Sequence, residues 1–343
     1  VTQRLIPAFV ILIALLFGWR EVQQGKLAYH PEPHTRNALI ATPPRVTPQP
    51  RVLNKVIKPE DFVRAVETAR DGAILELGAG EYRLVQGLEI TRSITLIGAG
   101  RDKTRIVSDD EIFVLKFDAS GTFTARDLSF EHDGSQKADV VVIENGSFEF
   151  ERCQFSGGIR NPEQDPTTGD GLWVRHKARG RVSQSVLSDN GLHGLELQGS
   201  ANLTLQGNTF ERNKENGLAF FDNTSGVARG NTSRKNGLHG ISVAEQASPR
   251  LENNIFELNT EVGLRYSGTA SGAATGNTVG QNGLSGIVIN DSARPSLEGN
   301  RLVGNGSYGL YISENAHPNL GQNDLSGNKL GNLKDLRSGK AKP

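Results

Sequence analysis

Residues 194–216 read GLELQGSANLTLQGNTFERNKEN, residues 217–239 GLAFFDNTSGVARGNTSRKNGLH and residues 240–262 GISVAEQASPRLENNIFELNTEV. Each segment opens on Gly and an apolar residue, and seven such dipeptides begin at Gly171, Gly194, Gly217, Gly240, Gly263, Gly286 and Gly309, always 23 residues apart. A fixed period of this length marks a repeat protein, in which each unit buries a face against the next. One step after the Gly stand Leu172, Leu195, Leu218, Ile241, Leu264, Ile287 and Leu310; three steps after stand Val174, Leu197, Phe220, Val243, Tyr266, Ile289 and Ile312. The position between them is mixed, which is the alternation of a strand with one buried face.

Seven steps on, Ala178, Ala201, Thr224, Ala247, Ala270, Ala293 and Ala316 admit only small side chains, as a tight interior corner requires. Two further apolar columns follow, so each repeat supplies three short inward-facing strands separated by turns. Two more columns are Asn. One runs Asn208, Asn231, Asn254, Asn277, Asn300 and Asn323; the other runs from Asn190 and Asn213 to Asn305 and Asn328. An Asn amide donates and accepts and tolerates left-handed turn geometry, so copies stacked about 4.8 Å apart can bond along the stack. These columns predict an all-β fold: a right-handed parallel β-helix solenoid with one coil per 23 residues.

The stretch AVETARDGAILELGAGEYRLVQGLEITRSITLIGAGRDKTRI at 65–106 extends the pattern upstream. With the regular coils, it resembles the pectin-lyase-like β-helix superfamily over about residues 56 to 330. That resemblance implies an amphipathic capping helix at about Pro59 to Arg70, which closes the open end of the coil and shields unpaired backbone groups. Pro59, Glu60 and Asp61 suit a helix start, and Phe62, Val63 and Val66 are expected to share its apolar side.

Four segments are expected: a signal anchor or signal peptide at 1–20, a Pro-rich linker at 21–55, the parallel β-helix at 56–333 and a basic tail at 334–343. The run LIPAFVILIALLFGW at 5–19 has bulky Phe17 and Trp19 and no clear small-residue cleavage site, which favours an uncleaved N-terminal membrane segment. The expected location is therefore membrane-anchored, facing the periplasm or extracellular space. Lys and Arg number 38 and Asp and Glu 38, so no charge excess points to nucleic acid. The single Cys153 is expected in the interior, near the place of the first Asn ladder. Between Gly157 and Asp170 the repeat is lengthened by nine residues, a polar insertion on one face.

Chemistry must come from outward columns. Just before each repeat Gly stand Asp170, His193, Asn216, His239, Val262, Ser285 and Tyr308. Stacked coils would put Asp170 beside His193, where a carboxylate can orient an imidazole. Polar residues entering a bend also satisfy turn amides, and that alternative stands beside the catalytic one. Asp170, His193, His239 and Arg175 are the candidate catalytic residues; Trp173, Glu196 and Phe221 are candidates for binding substrate, since aromatic faces stack on sugars and Arg grips carboxylates.

Gly169-Asp170-Gly171-Leu172 and Leu238-His239-Gly240-Ile241-Ser242 are somewhat similar to strands of the β-helical polygalacturonases. The further acids and the Arg-x-Lys motif of that family are missing from the matching columns, and an inverting hydrolase needs a second placed carboxylate. The expected function is a membrane-tethered surface that recognises polysaccharide or another cell-envelope component. The alternative is a polysaccharide lyase or uronate C5-epimerase: the Asn-rich coils resemble alginate epimerases, although a Tyr-Gly-x-Asp-Pro-His motif is not found. A copper-insertion type of β-helix has only His176, His193 and His239 in its favour, with no Met. No cofactor and no metal site is expected.

Overall fold

The computed structural model describes residues 56–337. A 3-10 turn at Pro59–Asp61 leads into an α-helix at Phe62–Thr68, which lays Phe62 and Val66 onto the first coil. Phe62 meets Tyr82 edge to face at 5.3 Å between ring centroids. Val63, expected on the same side, is 38% exposed, so the buried stripe is Phe62 and Val66 alone.

The chain then winds through three sheets whose paired strands all run parallel. Among the described residues the first sheet has 11 strands, from Ala73–Glu76 to Asn319–Leu320. The second has 10, from Gly80–Leu84 to Arg301–Val303, and the third 11, from Leu88–Ile90 to Gly331–Asp335. In the third sheet the repeat columns are the register: Leu172 pairs with Leu195, Trp173 with Glu196 and Val174 with Leu197, and so onward. The inward columns form one continuous core that includes the small-residue corner from Ala178 to Ala316. The Gly at each bend is steric: a Cβ on Gly240 would lie 2.5 Å from the carbonyl oxygen of Gly263 in the next coil.

Both Asn columns form ladders. Asn231 donates Nδ2 to Asn254 Oδ1 at 3.0 Å and to the Leu205 carbonyl at 3.1 Å, while Asn254 Oδ1 also accepts the Asn231 backbone N–H at 2.9 Å. Each amide therefore ties neighbouring coils together. Cys153 occupies the same column: Ser185 Oγ accepts its N–H at 3.0 Å, and Asn208 Oδ1 accepts the N–H of Ser185. Burial pushes the Cys153 thiol up to about 12, so it is an inert core group.

The expected membrane segment is corrected. Among the described residues no helix is long and apolar enough to cross a membrane. The α-helix at Phe62–Thr68 has 7 residues, whereas a crossing takes about 20. The apolar run 5–19 and the linker 21–55 lie outside the described residues. Membrane anchoring is accordingly withdrawn from the architecture, the partners, the location and the function.

Candidate functional site

The outward face of the third sheet carries all the candidate residues, and the column before the repeat Gly has a local structural task. Asp139 Oδ1 accepts the backbone N–H of Gly169 and of Asp170, both at 2.8 Å. Asp170 Oδ1 accepts the N–H of His193 at 2.8 Å, and His193 Nδ1 accepts the N–H of Asn216 at 3.2 Å. Each side chain thus satisfies an amide one coil on, where the bend leaves the sheet ladder incomplete. This ladder breaks after Asn216, whose Oδ1 is buried without a partner, as is Nδ1 of His239, and it resumes only where Ser285 Oγ accepts the N–H of Tyr308 at 3.4 Å. Asp170 and His193 are held as turn ligands, whereas His239 stands outside the ladder.

Glu196 joins Asp170 and His193, although its column lies three residues farther along the strand. His193 Nε2 faces Glu196 Oε2 at 3.3 Å, and one donor atom from each of the three residues fits within 4.8 Å. All three are buried, at 0% exposure for Asp170, 4% for His193 and 5% for Glu196. The Gly157–Asp170 insertion lies beside them: Ile159 bridges Ala138, and the Arg160 guanidinium reaches Glu215 and the Pro166 carbonyl.

Burial pushes Glu196 up to about 8, reinforced by the charge of Asp139, and raises Asp170 well above the carboxylate range, reinforced by Glu196 and Asp139. A side-chain hydrogen bond with Asp170 works against the rise in Glu196, so Asp170 is the donor of the pair and its Oδ2, which has no other partner, is the atom that holds the proton. The donor set does not fit a metal ion. Because His193 Nδ1 accepts an N–H, the neutral ring carries its proton on Nε2, which leaves no lone pair pointing into the cluster.

The raised Glu196 makes stability depend on pH with a defined sign. Its folded pKa of about 8 exceeds the ordinary glutamate value of 4.5, so its contribution is full below 4.5 and is lost as pH rises through 8. Urea denaturation should show wild type losing about 3–4 kcal/mol between about pH 5 and 8, with a flatter profile for Glu196→Gln. Equal slopes for the two proteins would show that Glu196 holds no extra proton.

Arg175 is already engaged. Its Nη1 donates to Glu144 Oε1 at 2.8 Å, and its guanidinium lies 4.3 Å from the centroid of the Trp173 ring. Phe221 packs against the His193 ring at 5.9 Å between centroids. Trp173, Arg175 and Phe221 are half-buried members of the wall around the sealed cluster.

His239 borders a different space. A groove of about 590 Å³ runs from His239 and Glu261 past Arg265 and Val288 to Tyr308 and Tyr311. His239 Nδ1 faces Glu261 Oε2 at 3.6 Å. Burial, followed by the charge of Arg265, depresses the imidazole to about 4, so it is neutral at ordinary pH. A site spanning Asp170 to His239 stops one coil short of Arg265 and three short of Tyr308. The outward columns contained both residues; the available signal was a cation and two aromatics in a stretch otherwise occupied by Val262, Ser285 and Val288.

Comparison with known proteins agrees with this architecture. A family model described as right handed beta helix region matches residues 114–279 and 228–339. No curated protein matches the sequence. Among solved structures, the A-module of the Azotobacter vinelandii mannuronan C-5 epimerase AlgE4 superposes with a TM-score of 0.64 at 18% identity, covering 78% of this chain and 90% of that one. The periplasmic alginate epimerase AlgG gives 0.61 at 13% identity, over 84% of this chain and 74% of that one. Pectate lyase Pel9A gives 0.50 at 17% identity, over 78% and 73%. At these identities the likeness is one of fold.

Proposed function

The chain belongs to the right handed beta helix region family, and from that premise we propose that it acts on an acidic polysaccharide as a lyase or a uronate C5-epimerase. The observation that carries this reading is His239, a neutral imidazole outside the turn ladder and bordering a groove. Abstraction of the C5 proton of a uronate requires an unprotonated base beside the sugar, and His239 meets that requirement above about pH 4. The C5–H electron pair then passes into the adjacent carboxylate. In a lyase it returns to form a C4=C5 double bond as the C4–O bond breaks and the leaving oxygen takes a proton. In an epimerase C5 is reprotonated on the opposite face.

His193 is a poorer base. Its Nδ1 accepts from Asn216, its Nε2 proton faces Glu196, and burial lowers its pKa to about 3. Asp170 serves the fold around it, and Arg175 already has Glu144 as its counter-ion. The tethered recognition surface expected from sequence gives way to this alternative: the tether is withdrawn, and the two epimerases superpose over most of the chain.

Incubation of residues 51–343 with alginate, pectate and hyaluronan tests the proposal. Unsaturated uronate absorbing in the ultraviolet identifies a lyase, and inverted uronate in the NMR spectrum an epimerase. Absence of both from every substrate would sink the enzymatic reading.

A further inference from the structure

Beyond His239 the third sheet presents three outward positions on successive coils: Arg265, Val288 and Tyr311. Successive coils are about 4.8 Å apart, so Arg265 and Tyr311 stand about 10 Å apart across a low Val floor. Tyr308 lies beside Tyr311, with 6.5 Å between ring centroids. These residues line the 590 Å³ groove, a volume in the range of small-ligand sites.

The charges along this face are not alike. Arg175 is neutralised by Glu144, and Lys116 by Glu89. Arg265 is half-buried, and among the described residues no carboxylate lies within 4.0 Å of it. Glu261, the acid in the groove, faces His239 at 3.6 Å. Exposed Lys334 follows Tyr311 on the next strand and adds a second positive charge at the far end. A half-buried guanidinium without a counter-ion, facing two phenol rings across an apolar floor, is complementary to a ring that carries a carboxylate. The guanidinium takes the carboxylate through paired N–H donors, and the aromatic face takes the C–H face of the sugar.

We infer that Arg265, Tyr308 and Tyr311 form a binding subsite for one hexuronate residue of a polysaccharide chain, with its carboxylate on Arg265 and its ring against Tyr311. This subsite deepens the proposed function and rests on that reading for its place in a reaction, but binding can be measured without turnover. Both key side chains point outward from the coil, so their replacement spares the core and both Asn ladders.

Calorimetric titration with a hexameric oligomannuronate, a hexameric oligogalacturonate and neutral cellohexaose tests the subsite. Wild type should bind at least one uronate hexamer at least tenfold more tightly than cellohexaose. Arg265→Ala should erase that preference, Arg265→Lys should restore part of it, and Tyr311→Ala should weaken whichever sugar binds. Thermal midpoints should match wild type in all three variants. Undiminished uronate binding by Arg265→Ala, or no uronate preference in wild type, would overturn the subsite even if product were formed. Binding that depends on Arg265 without product from any substrate would keep the subsite and remove the enzymatic reading.

Discussion

Asn254→Ala should destabilise the protein by about 4 kcal/mol, seen as a lower urea midpoint. Asn254 lies between filled rungs on both sides: its Nδ2 donates to Ala228 O at 2.9 Å and Asn277 Oδ1 at 2.9 Å, and its Oδ1 accepts the N–H and Nδ2 of Asn231. Truncation strips the partner from a buried backbone N–H and from a buried carbonyl, and it removes one contact from each neighbouring amide. Leaving a buried polar group unpaired costs about 1–3 kcal/mol, and the two backbone groups alone approach the total. Asn254→Asp is the informative companion, since it keeps the acceptor and loses the donor. The alanine variant should fall further than the aspartate if acceptance from Asn231 dominates. A midpoint within error of wild type for Asn254→Ala would mean that the stacked backbone, not the amide ladder, holds the turns in register.

Such ladders explain why the fold was legible in the sequence and the chemistry far less so. A stacked coil repeats its environment every 23 residues, so core, corner and Asn positions recur as uniform columns. Leu172, Ala178 and Asn208 each belong to a set whose members share one physical constraint. A site breaks the repeat, and its residues appear as irregularities in otherwise mixed columns. Asp170 and His193 were conspicuous because they are polar beside Gly, yet their side chains accept amides from the next coil, as structural residues at a bend do. Whether a side chain accepts such an amide depends on its rotamer, which spacing does not specify. Glu196 shows the converse, since its column lies three residues along the strand from that of Asp170, yet the fold brings a ligand atom of each within 4.8 Å of the other. Arg265 was visible as a letter; that it lacks a counter-ion depends on where Glu261 turns.

His239→Gln should lower product formation by about 10²–10⁴-fold, the usual contribution of a placed general base. Glutamine approximates the polar shape but cannot accept the C5 proton, and the imidazole takes no part in the amide ladder, so the thermal midpoint and oligosaccharide affinity should stay close to wild type. The wild-type rate should rise with pH through about 4, as the depressed imidazole loses its proton, and then level off. The sign follows from the base being active only when neutral. His193→Gln is the necessary contrast. The substitution disturbs the acceptor for Asn216 N–H and the donor facing Glu196, so its effect should fall on stability, with the folded fraction turning over at near the wild-type rate. If His193→Gln abolished turnover at wild-type stability while His239→Gln retained it, the base would belong to the sealed cluster, and the Gly157–Asp170 insertion would have to open to admit substrate. If instead both variants kept full activity, neither imidazole would be the base, and the phenols of Tyr308 and Tyr311 would be the next groups in the groove to replace.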